Sequence, residues 1–196
     1  MIRPTSLLWP VLLLAGMVGA QIKIPPSVIV WSESRKLTWQ DFQMAVPKER
    51  NKDASTHTEL HHADRWRCPS SELHSTVVAW FDPKQSWVID TMKGNSGLLE
   101  HEQIHFDLTE VYARILRKKL NAFRIPCGYK KDVIQAQIDV IADKTIKDWR
   151  IEQDRYDVET KNGLDEKAQT EWEKKVKAML EPRSHISAIS RARVAR

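Results

Sequence analysis

In the stretch Leu98–Glu110, LLEHEQIHFDLTE, His101 and His105 stand four positions apart and Glu102 directly follows the first. On a helix this spacing turns both imidazoles to one side, where their nitrogens can share one ion, and places the carboxylate beside them. Zinc lowers the pKa of water that it holds towards about 7. The carboxylate can take a proton from that water as it attacks a carbonyl, then deliver it to a leaving amine. The pattern predicts zinc ligands at His101 and His105 and a general base at Glu102.

A helix must carry these residues. Gly94-Asn95-Ser96 offers an N-cap, and apolar residues recur at helical spacing as far as Phe123. With His101 at zero on a helical wheel, His105 falls at about 40°, Tyr112 at about 20° and Leu98 and Leu116 at about 60°. Both histidines therefore lie within the apolar stripe that faces the protein. Buried imidazoles without partners cost about 1–3 kcal/mol each, and a shared metal satisfies the pair.

Catalytic zinc usually takes three protein ligands and leaves a position for water. Glu110 falls at about 180° and Asp107 at about 240° on the same wheel, so both are expected to be structural partners of Arg114, Lys118 or a neighbouring layer. The third ligand must come from elsewhere. A second helix is expected from about Lys131 to Lys161, ending at Asn162-Gly163, and a third over LDEKAQTEWEKKVKAML. The short connection Arg124–Lys130 makes the first two antiparallel. Counting back along them sets Trp149 level with His105 and Gln153 level with His101. The acidic residues near that level are Asp148, Glu152, Asp154 and Asp157, of which helical phase prefers Glu152.

The first part of the chain reads as strand and loop. SVIVWSES is a strand candidate, KERNKDAS a surface loop and STHTELHHADRW an extended, partly exposed strand. LHSTVVAWF and SWVID flank Asp82-Pro83-Lys84-Gln85 as an expected hairpin. His57, Glu59 and His61 share one strand face, expected to be polar and exposed. Trp39, Trp66, Trp80 and Trp87 are expected mainly to pack the core. Strands first and helices after predict a single α+β domain over residues 21–182.

The 196-residue chain carries a formal charge of +5, with acidic and basic residues interleaved. That pattern argues against a nucleic-acid partner. A basic start, an apolar run from Leu7 to Val18 and the ending Val18-Gly19-Ala20 describe a signal peptide over residues 1–20. Cleavage after Ala20 would export the protein, periplasmic or secreted, with no stable membrane insertion afterwards. The basic end, residues 183–196, is expected to be a solvated tail. Cys68 and Cys127 are the two cysteines, and an even count in an exported chain favours a disulfide.

LTWQDFQ, SWV, LLEHEQIHFDLTEVYAR and YDVETKNG with the later QTEW together resemble the DUF922 family of bacterial proteins, over about Val30 to Val176. The resemblance implies a secreted zinc-dependent protease of zincin-like fold, with a small N-terminal sheet beside the helix that bears the histidines. The family's second motif resembles Y-D-x-x-T-x-H-G, which falls on Tyr156, Asp157, Thr160, Asn162 and Gly163. By that resemblance Asp157 replaces Glu152 as the third ligand. Tyr156 is then expected to donate to the oxyanion of a tetrahedral intermediate. Asn162 stands where the motif has histidine. Two functions follow as expectations: a zinc metallopeptidase acting on a peptide or protein substrate, or a non-catalytic zinc-binding or interaction module on the same scaffold.

Overall fold

The computed structural model describes residues 22–68 and 71–181. The expected signal segment and basic tail lie outside them. Among the described residues, five strands precede three α-helices, in an α+β arrangement of zincin-like type. The strands are β1 (Ile29–Val30), β2 (Ala54–Ser55), β3 (Thr58–Arg67), β4 (Glu72–Phe81) and β5 (Trp87–Val88). The helices are α1 (Ser96–Ala122), α2 (Lys131–Thr160) and α3 (Glu166–Leu180).

β4 is the centre of an antiparallel sheet in the order β1-β4-β3, and β2 pairs separately with β5. The β3–β4 register runs from Thr58 opposite Phe81 to Arg67 opposite Glu72. The hairpin is therefore closed near Cys68 and Ser71, not at Asp82–Gln85. Both edges of β4 are already taken, by β1 and β3, so the chain after Phe81 cannot fold back on it. Asp82 instead caps a short 3-10 turn, accepting from the Lys84 amide at 2.9 Å, and Trp87–Val88 finds β2. SVIVWSES likewise shrinks to the two residues of β1.

The helix α1 is the hub of three apolar clusters. Ala113, Leu116 and Leu120 meet Leu60, Val77 and Ala79 of the sheet and Ile134, Ile138 and Ala142 of α2. Phe106 meets Leu37, Trp39, Phe42 and Phe81, while Ile104, Leu108 and Val111 meet Tyr156, Trp172 and Val176. Burial on three sides orders α1 along its length, since helical stability comes mainly from packing. Its start is set by Asn95, whose side chain accepts from the Leu98 amide at 3.0 Å.

Cys68 and Cys127 are bonded, with Cα atoms 5.7 Å apart. The bridge ties the β3–β4 turn to the α1–α2 connection, where the Ile125 amide also donates to the Ser71 carbonyl at 3.1 Å. Trp39, Trp80 and Trp87 are buried and Trp66 packs against the sheet cluster, as core residues should. Among the described residues no helix is long and apolar enough to cross a membrane.

Candidate metal centre

In the second turn of α1, His101 is 2 % exposed and His105 lies beside it at the border of a cavity of about 870 Å³. Their Nε2 atoms are 3.3 Å apart. The antiparallel α2 brings Asp157 to the same point, its Oδ1 lying 3.2 Å from His101 Nε2 and 2.9 Å from His105 Nε2. These three side chains form a cluster able to hold a metal ion.

The donor set fits zinc. Ligand bonds of about 2.0–2.1 Å in a tetrahedron place donor atoms about 3.3 Å apart, close to all three edges found here. The hydrogen bonds behind the rings point the same way. Gln153 Nε2 donates to the His105 carbonyl and to Thr109 Oγ1, which turns its Oε1 towards His105 Nδ1 at 2.6 Å. Gln169 Nε2 donates to Glu173, and its Oε1 faces His101 Nδ1 at 3.3 Å. A carbonyl only accepts, so each Nδ1 carries a hydrogen, which leaves Nε2 as the ring atom that would meet a cation. Two such nitrogens and a carboxylate oxygen converge on one point, an arrangement able to hold a cation.

The turn after α2 encases His101. Tyr156 is fully buried and stacks on the His101 ring, with centroids 4.6 Å apart. Its hydroxyl donates to Gln169 Oε1 at 2.8 Å and lies 3.2 Å from the His101 carbonyl. Burial, with the nearby Glu102 charge, pushes this phenol well above its ordinary range. The hydroxyl is thus engaged inside the core, and Tyr156 is not among the described residues that line the cavity. Lys161 and Asn162 adopt left-handed conformations and Gly163 has φ +85°, so the chain reverses directly over His101. Asn162 lines the cavity.

Asp157 is held far below the usual carboxylate range. Burial opposes this, but hydrogen bonds from His101, His105 and Lys52 outweigh it. Burial likewise lowers His105, yet the bond to Asp157 and the charges of Glu102 and Asp157 leave it raised overall. Lys52 Nζ lies 2.5 Å from Asp157 Oδ2. Glu102 is 3 % exposed and lines the cavity, and its Oε2 has no hydrogen-bond partner among the described residues.

The other acidic candidates are accounted for structurally. Glu152 turns to α3 and accepts from Lys175 at 2.6 Å. Asp107 takes the Trp31 indole at 2.7 Å and the Lys36 ammonium at 3.5 Å, anchoring the N-terminal segment. Glu110 is paired with Arg114 and Arg117, and Lys118 is not its partner. Glu59 lies between His57 and His61, at 3.2 Å and 2.6 Å, on the polar β3 face that forms a cavity wall.

The level count falls one helical turn short: His105 meets Gln153, and His101 meets Asp157. The connection from Phe123 to Lys130 takes up that extra height. Phase misjudges Glu152 because α3 covers its side of α2, leaving the border of the apolar stripe to face the cavity. Gln153, Gln169 and Lys52 were not anticipated. Gln153 carries a signal, lying four residues before Asp157 and hence on one helix face.

A family model described as "Bacterial protein of unknown function (DUF922)" matches residues 62–163, 102 of the 196. The chain belongs to that family. No curated protein and no solved structure matches it.

Proposed function

We propose that the protein is an exported zinc-dependent metallohydrolase that cleaves peptide bonds, with Glu102 as its general base. The observation that carries this reading is the Glu102 carboxylate. It is buried, its Oε2 is unpartnered among the described residues, and it sits one residue from His101 at the cavity that the metal-ligand cluster borders. A buried carboxylate oxygen left without a partner is costly, so its retention needs a use. The disulfide adds support for an oxidising, extracytoplasmic setting.

His101, His105 and Asp157 would hold the zinc, which supplies Lewis acidity and lowers the pKa of water at the site. Glu102 removes a proton as water oxygen bonds to the scissile carbonyl carbon. It returns that proton to the amine nitrogen as the C–N bond breaks. Gln153 and Gln169 keep the imidazoles in the Nδ1–H form, and Tyr156 holds the His101 ring by stacking. β3 is an edge strand whose residues Thr58–His61 line the cavity, which suits an extended peptide laid alongside it.

The test is the mature chain from Gln21, loaded with zinc and assayed on a broad peptide library. About one zinc per chain is expected, lost in His101→Ala and His105→Ala. Glu102→Gln should keep zinc and fold while hydrolysis falls by roughly 100-fold or more. Robust hydrolysis in Glu102→Gln would overturn the mechanism.

Asn162 supports a second reading, a non-catalytic zinc-binding or interaction module. It stands at the cavity where the related motif has histidine. Tight zinc binding with no hydrolysis in wild type, and cleavage gained by Asn162→His, would favour that reading.

A further inference from the structure

Hydrolysis of an amide leaves negative charge on the carbonyl oxygen of the tetrahedral intermediate, and a donor must meet it. Tyr156 does not reach the cavity, its hydroxyl being engaged by Gln169 and the His101 carbonyl. Two cationic side chains are found among the described cavity-lining residues, Lys52 and Arg150. Lys52 is the one in contact with the metal-ligand cluster, its Nζ lying 2.5 Å from Asp157 Oδ2. Asp157 therefore links the two, with Oδ1 towards the imidazoles and Oδ2 towards the ammonium.

An ammonium has three donors, and among the described residues Asp157 accounts for one. The side chain is 36 % exposed, reaching in from the loop ahead of β2. That loop belongs to the same wall as Ala54, Thr56 and His57. The ammonium is thus anchored at one point, beside the cluster, with donors left for a group entering the cavity.

We propose that Lys52 is a catalytic residue that donates a hydrogen bond to the oxyanion of the tetrahedral intermediate. This rests on the hydrolase reading above. The proton that moves from water to amine is carried by Glu102, and Lys52 takes no part in that transfer. Its bond to Asp157 holds the ammonium in place. The competing role, positioning Asp157 alone, makes different predictions.

The experiment uses the zinc-loaded mature chain and the variants Lys52→Gln and Lys52→Arg. Zinc affinity is read by competition with a chelator, and inorganic phosphate, a tetrahedral oxyanion, is titrated by calorimetry. Peptide kinetics supply kcat and KM. Lys52→Gln should keep zinc affinity within about threefold, weaken phosphate by about tenfold or more, and lower kcat by about 100-fold with little change in KM. Lys52→Arg should recover part of both losses. Zinc affinity reduced with phosphate affinity unchanged would assign Lys52 to positioning only and overturn the proposal, as would an unaltered kcat. If wild type hydrolyses no peptide, the hydrolase reading fails and the catalytic role with it. The phosphate titration then decides whether Lys52 is still an anion-binding group.

Discussion

Gly163 lies so close to the His101 ring that a Cβ on it would stand 3.1 Å from both Cβ and Cγ of the histidine. Its φ of +85° is one that side chains rarely adopt. Gly163→Ala should therefore strain the turn and push the His101 ring. We expect a loss of about 1–3 kcal/mol in stability and weaker zinc binding, read by thermal melting and chelator competition. Wild-type values in both would show that the turn has room to yield.

Gln153 both donates to α1 and accepts from His105 Nδ1. Gln153→Leu removes the acceptor while keeping bulk, so the ring is free to carry its hydrogen on Nε2. Zinc affinity should fall by roughly 10–100-fold. Nitrogen NMR of the imidazoles in metal-free protein should show the tautomer change at His105. An unchanged tautomer would remove Gln153 from this role.

The disulfide closes a 59-residue separation between the hairpin turn and the α1–α2 connection. On the chain-entropy model, opening such a loop costs about 4 kcal/mol. The double change Cys68→Ser, Cys127→Ser should lower the melting temperature by roughly 10 °C. The metal cluster lies on other elements, so zinc stoichiometry should persist. A melting temperature unchanged on opening the bridge would contradict the expectation.

His62 Nδ1 lies 2.7 Å from Asp64 Oδ2, and Ser75 donates to the same carboxylate. The hydrogen bond to Asp64 raises the imidazole above its ordinary 6.5, and the charges of Asp139 and Asp143 on α2 add to this against burial. A pKa raised by folding stabilises fully below the unfolded value and is lost as pH rises through the folded one. His62→Gln should therefore lower the melting temperature by a few degrees at about pH 5.5, with the difference narrowing towards about pH 9. A difference that grew with pH would reverse the assigned sign.

The sequence alone determined the helix pair and the local half of the site. His101 and His105 share a face, with Glu102 at its border, through backbone periodicity alone, and Asn95 and Gly163 mark helix ends through local backbone preferences. The β-tolerant residues of THTELHHADRW, with little helical period among them, likewise pointed to β3, and the even cysteine count pointed to the bridge.

What depends on distance along the chain was decided by packing. Asp157 and Glu152 are both plausible on α2, and only the seating of α3 turns Glu152 to Lys175 and leaves Asp157 to the histidines. The β3–β4 hairpin replaced the expected one because β1 and β3 occupy both edges of β4, a competition invisible within either segment. Gln153 and Gln169 gained their roles, and Tyr156 was drawn into the core, through contacts 13 to 68 residues apart. The physical reason is that periodicity sets which way a side chain points on its own helix. The height and rotation of one helix against another are set by its loops and by everything else that must be buried.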